Sequence, residues 1–112
     1  QQQIIGNVIY IDNYGNVVTN ISKSLFEAVG KGKSFIVSGR NVKFKNIYAK
    51  YSDAIDFSLP TDKREEDGKK LAIWNASGYL ELAIYKSNPQ TVGSASTLFG
   101  LYYRDTVTVN FD

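Results

Sequence analysis

Two short segments carry the residues best suited to holding a ligand: Asp12-Asn13-Tyr14-Gly15-Asn16-Val17-Val18-Thr19-Asn20-Ile21 and Asn75-Ala76-Ser77-Gly78-Tyr79-Leu80-Glu81-Leu82-Ala83-Ile84. Each sets Asn, Gly and Tyr at a tight turn beside a β-branched or apolar run, so that carboxamides and an aromatic ring can meet at one edge of a sheet. The Asn16 carboxamide donates and accepts in one plane, matching the edge of adenine, where N6 donates and N7 accepts. A hairpin turn alone also accounts for Asn16, since Asn bonds its own backbone in turns. Tyr14 offers a ring face for stacking on a base, worth about 1–3 kcal/mol, or for packing at a barrel rim. Asn75, Ser77 and Tyr79 repeat the pairing of small polar groups with an aromatic, and backbone groups exposed at such a turn bind a purine edge as well as side chains do. Glu81 alternates with Leu80 and Leu82, which points it outward to solvent.

This equipment holds planar ligands and is poor at breaking bonds. The chain has no Cys and no His, so Ser-His-Asp chemistry, thiolate nucleophiles and zinc hydrolysis cannot be built from it alone. Absence of Cys also fits a reducing compartment, and a cytoplasmic location is expected. At 112 residues, with 43% hydrophobic and 21% charged residues, the chain is of a size for one domain with its own core. No apolar run approaches the roughly 20 residues of a membrane-spanning helix. The chain does not open on Met and enters a strand pattern at Ile4-Ile5, so residues 1–112 read as one domain cut from something longer.

The net charge of +2 makes no strong case for nucleic acid, but its distribution is uneven. Lys31, Lys33, Arg40, Lys43, Lys45 and Lys50 fall in a stretch without acids, which is followed by Asp53, Asp56, Asp62, Glu65, Glu66 and Asp67. Solvated faces of opposite sign are the simpler reading. Residues 40–51 interleave bases with aromatics, as single-strand binders of the OB type do. Alternation, however, puts Val42 and Phe44 on one face and Lys43 and Lys45 on the other, so an OB-like nucleic-acid module stands as the lesser alternative.

The elements that would position these groups follow from periodicity and turn chemistry. Residues 3–12 and 17–21 read as a hairpin, with Gly6 marking a bulge or the close approach of another strand. Ser24-Leu25-Phe26-Glu27 has capping-box spacing and Gly30 stands at a helix stop. Residues 33–37 and 41–45 flank a turn at Ser38-Gly39-Arg40, residues 71–74 and 78–86 form a third strand pair, and 106–111 alternate strictly as a closing strand. Residues 61–70 read as an exposed connection, and Asn88-Pro89 opens a short helix toward Gly100. The fold class expected is mainly β, a small antiparallel β-barrel with one or two short helices.

The two turn segments, in this order and spacing, resemble the C-terminal domain of the S-adenosyl-L-methionine hydroxide adenosyltransferase family, which also contains the related chlorinases and fluorinases. The family patterns are Asp-x-Phe-Gly-Asn-x-x-Thr-Asn-Ile, matched from Asp12 to Ile21, and Asn-Ser-x-Gly-Tyr-Leu-Glu-Ile-Ala, matched from Asn75 to Ala83. Gly93-Ser94-Ala95 and Gly100-Leu101 followed by Asp105-Thr106-Val107 add to the likeness. Tyr14 stands in place of Phe, Ala76 in place of Ser, and Arg104 where Gly usually precedes the Asp, while residues 87–92 look like an insertion. Val18 lacks the aromatic ring of the halogenating members.

The resemblance implies a two-domain, homotrimeric enzyme that hydrolyses S-adenosyl-L-methionine to adenosine and L-methionine by attack of water or hydroxide at the ribose C5′, with no cofactor. Each active site would lie between the N-terminal domain of one subunit and the C-terminal domain of its neighbour, with the catalytic residues on the N-terminal domain. In this chain, Asn16 would bind the adenine edge and Tyr14 the nucleoside, while Asn75, Ala76 and Ser77 would line the purine through backbone groups. The fragment alone is expected to be inactive. A purely structural barrel, whose turns only shape the fold, is the remaining alternative.

Overall fold

Alternation of apolar and polar residues builds a sheet that is buried on one face, and the hydrophobic sets of seven strands meet in one core. The computed structural model describes residues 2–13, 15–49, 70–84, 96 and 99–112. The strands are β1 (Gln2–Ile11), β2 (Val17–Ser22), β3 (Phe35–Ser38), β4 (Lys43–Phe44), β5 (Lys70–Trp74), β6 (Tyr79–Ile84) and β7 (Thr106–Phe111), with helix α1 (Lys23–Gly30) between β2 and β3. They form one antiparallel sheet in the order β4-β3-β7-β1-β2-β6-β5, curled into a nearly closed barrel. Ile4 and Val8, Val17 and Ile21, Val37, Phe44, Leu80 and Leu82, and Val107 and Val109 are its inward residues.

The two edge strands of that order are brought together by Tyr48. Its N–H donates to the Ala72 carbonyl (2.9 Å), and the Trp74 N–H donates to its carbonyl (3.0 Å), a parallel bridge that ties the chain after β4 to β5. On the outer side Tyr48 packs with Leu71, Ile73 and Ala83, so β5 is buried on both faces, as its continuous apolar run suggests.

Strand β1 serves both halves of the barrel. Its first part pairs with β7 (Gln2 to Asn7) and its last part with β2 (Val8 to Ile11). At the handover Ile9 is an extra residue between the Val8–Thr19 and Tyr10–Val18 pairs, a bulge that bends the strand. Gly6 permits the close approach of β2, because a Cβ there would collide with Ile21 and with the Asn20 side chain. Where the β1–β2 ladder opens, the Asn20 Oδ1 accepts the Asn7 N–H (2.8 Å) in its place.

The helix begins two residues earlier than the capping-box spacing indicates. Ser22, extended at φ −85° and ψ 152°, is the N-cap and accepts the Leu25 N–H at 3.1 Å. The Lys23 N–H, given to the Gly78 carbonyl (2.8 Å), ties that start to the β5–β6 turn. Ser24 is therefore inside the helix. Gly30 is its last residue, not its stop; Lys31, left-handed at φ 49°, closes it by donating to the Glu27 carbonyl. Phe26 carries the helix into an aromatic cluster with Phe35, Trp74 and Phe111, at centroid separations of 4.9, 5.3 and 5.3 Å. Of the expected connection at 61–70 only Lys70 is described, as the first residue of β5, and almost all of the expected helix from Asn88 lies outside the described residues.

Candidate functional site

The two turn segments share one hydrogen-bond pattern. In the first, the Asp12 N–H donates to the Asn16 carbonyl (3.1 Å) and the Gly15 N–H to the Asp12 carbonyl (2.9 Å), while the Asp12 Oδ1 accepts the Asn16 N–H (2.9 Å). In the second, the Asn75 N–H donates to the Tyr79 carbonyl (3.0 Å), the Gly78 N–H to the Asn75 carbonyl (2.9 Å), and the Asn75 Oδ1 accepts the Tyr79 N–H (3.0 Å). Gly15 (φ 80°) and Gly78 (φ 82°) occupy the left-handed position that such a five-residue hairpin connection demands. Asp and Asn head these turns because only a short side chain with an acceptor oxygen reaches the amide four residues on.

The register places the turns apart. Val17, which follows Asn16, faces Leu82, whereas Ser22 faces Tyr79, which follows the second turn. The turns therefore do not meet at a single sheet edge, as their sequences suggest; they sit at opposite ends of the β2–β6 ladder, about 10 Å apart at the rise of a strand. The outer face joins them. A depression of about 460 Å³ is lined by Asp12 of the first turn, by Asn75, Ala76 and Ser77 of the second, by Val18 and Glu81 between them, and by Ile9, Tyr10 and Tyr79 at the side. Its floor is one rung of the sheet, since Tyr10 pairs with Val18 and Val18 with Glu81.

Asn75, Ala76 and Ser77 are thus brought together. The Asn75 Oδ1 also accepts the Ser77 N–H (3.0 Å), and its Nδ2 donates to the Glu81 Oε1 (3.4 Å). Glu81 is half-buried and does not stand clear in solvent as its alternation indicates. Ala76 and Ser77 are exposed at the crest. Asn16 is not among the residues of the depression; it is 9% exposed, in a turn whose Gly15 carbonyl accepts the Ser96 N–H at 2.8 Å. Tyr14 lies outside the described residues. Tyr10, 53% exposed, is a wall residue that motif reading passed over; an outward Tyr at the end of a strand opposite Val18 was the available signal.

Chemically, the depression offers two carboxylates, two phenols and a fixed turn, a set that binds and orients by hydrogen bonds and ring contact. Among the described residues no cluster of three or more acidic side chains could hold a metal ion. The basic stretch also takes shape here: Val42 and Phe44 are buried, and Lys43 and Lys45 are exposed, so cations and aromatics part company there. No helix among the described residues is long and apolar enough to cross a membrane.

Fold and site together define a small antiparallel barrel with paired hairpin turns and an open depression on its outside. The family profile described as the SAM hydroxide adenosyltransferase C-terminal domain matches residues 6–108, and the chain belongs to that family. Two solved structures share the fold: an uncharacterized conserved protein from Thermotoga maritima (TM-score 0.65, 24% identity, covering 97% of this chain and 36% of that one) and a conserved hypothetical protein from Thermus thermophilus (TM-score 0.58, 21% identity, 95% and 34%). This chain spans about a third of the length of either. None of the curated proteins compared with it matches.

Proposed function

We propose that this chain is the nucleoside-binding and oligomer-forming C-terminal domain of an enzyme that hydrolyses S-adenosyl-L-methionine to adenosine and L-methionine. The observation that carries the proposal is the family match, which spans both hairpin turns, Asp12 to Asn16 and Asn75 to Tyr79. In this reading Asn16 and Tyr14 contact the nucleoside, and Asn75, Ala76 and Ser77 line the purine. Hydrogen bonds within the second turn occupy the amides of Ser77, Gly78 and Tyr79. Recognition there falls to the Ala76 N–H and the carbonyls of Ala76 and Ser77, a donor and acceptors on a hydrogen-bonded frame.

The chemistry suits a domain without His or Cys. A sulfonium is already a good leaving group, so the reaction needs the substrate and a partly desolvated nucleophile held in line more than it needs a strong acid. Contacts to adenine are remote from C5′, and their binding energy becomes rate by fixing the ribose. Water or hydroxide is the nucleophile, and the second wall of the site comes from the N-terminal domain of a neighbouring subunit in a homotrimer.

The test is Asn16→Ala in the longer protein that carries this domain. A rise of roughly tenfold in KM, equal to about 1.4 kcal/mol, is expected with an unchanged melting temperature. Unchanged KM would assign Asn16 to the turn alone and favour the structural barrel.

A further inference from the structure

We infer that the barrel carries a second, separate binding site, for a phosphate-bearing small molecule, on the outer face of β3 and β7. Val37, Val107 and Val109 point into the core, so Ser38, Thr106 and Thr108 point outward, and Ser38 lies directly across from Thr108. These three hydroxyls, with Arg40 and Arg104, line a depression of about 380 Å³. That volume exceeds a single phosphate and admits a phosphate ester or pyrophosphate.

The electrostatics favour an anion. Two arginines line the depression against one carboxylate, and that carboxylate is already committed: the Asp105 Oδ2 accepts the Tyr102 N–H (2.9 Å) and its Oδ1 lies 3.4 Å from the Arg40 Nη2. This contact steadies Arg40 at the rim, and the guanidinium has further N–H donors in its planar fork. Among the described residues no carboxylate pairs with Arg104. Guanidiniums backed by hydroxyls are the side chains that grip phosphate in two-point fashion.

Arg104 is also held in an unfavourable backbone state. Its φ is 71°, a left-handed conformation that Gly adopts more cheaply. The Arg104 N–H donates to the Val8 carbonyl (2.9 Å) and its carbonyl accepts the Asn7 Nδ2 (3.1 Å), so the strand bulge and β1 fix it in that state. A left-handed non-Gly residue carries backbone strain, and such strain clusters at binding sites.

The experiment is calorimetric titration of the chain with pyrophosphate at low ionic strength. Saturable one-site binding is expected, weakened at least tenfold in R104G, which suits the backbone and so keeps the fold, and similarly in R40Q. D105N, which keeps an acceptor for Tyr102 and removes the competing charge, should bind several-fold more tightly. K33Q removes a charge outside this depression and should change affinity less than twofold. Three results would overturn the inference: no saturable binding, equal weakening in R104G and K33Q, or tighter binding of single-stranded oligonucleotides with affinity rising with length. Since none of these variants touches either hairpin turn, failure here leaves the nucleoside reading intact.

Discussion

Thr19 shows how one side chain repairs an irregular sheet. The β2–β6 ladder passes from Val18–Glu81 to Ser22–Tyr79, so β2 has more residues than its partner and ordinary pairing lapses between them. Thr19, wholly buried, fills the gap: its Oγ1 donates to the Leu80 carbonyl (2.9 Å) and accepts the Ile21 N–H (3.2 Å). Thr19→Val keeps the shape and strands two buried backbone groups, each costing about 1–3 kcal/mol when unpaired. Urea denaturation should therefore show a fall in stability of about 2 kcal/mol or more, with little change in the slope. The sequence does not disclose this role, because Thr is an ordinary strand residue and the slip in register becomes visible only against β6. Asn75 lies at the other extreme: its position three residues before a Gly marks the turn in sequence, and the structure adds only the number of amides it holds.

At the scale of elements, the short helix is governed by what surrounds it. Its eight residues are too few to be stable alone, so its packing must decide where it begins and ends. Phe26 fills the space between Phe35, Trp74 and Phe111, and Gly30 brings the last turn against the Phe111 ring, where a Cβ would collide. Gly30→Ala improves intrinsic helix propensity by about 1 kcal/mol and yet should destabilise the protein by about 1–3 kcal/mol through overpacking. Thermal melting of the single variant checks the sign; a stabilised protein would mean that Phe111 yields at little cost. The same dependence on tertiary contacts explains why the helix was legible in the sequence while its cap was not. Ser22 and Ser24 both offer a capping hydroxyl, and the bond from Lys23 to Gly78, in the turn before the neighbouring strand β6, decides between them. The bounds of β5 and β7, and the start of β6, follow from the sequence nearly to the residue because alternation and Gly-bearing turns are local signals.

For the molecule as a whole, the filled interior determines what the domain can do. Val17, Leu80, Leu82, Leu101 and Val107 occupy the middle of the barrel with no exposed surface, so the barrel does not enclose a nucleoside. A ligand must be met on the outer wall, where the depression beside Asn75, Ala76 and Ser77 is open on one side. On the proposed function, a site open on that side exposes its ligand to water and forfeits both the orientation and the desolvation that displacement at C5′ requires. On that proposal the remaining wall comes from another domain; the chain covers 36% and 34% of the two solved structures that share its fold. The expected outcome is that the chain incubated with S-adenosyl-L-methionine releases no adenosine above the uncatalysed rate, whereas the longer protein does. Chromatographic detection of adenosine and methionine in equal amounts checks both arms. Adenosine release by the chain alone would place catalytic groups on this barrel, with Asp12, Glu81 and the phenols of Tyr10 and Tyr79 as the side chains to substitute first. Silence from both proteins would instead reject the hydrolytic reaction while leaving the fold and its paired turns as they are.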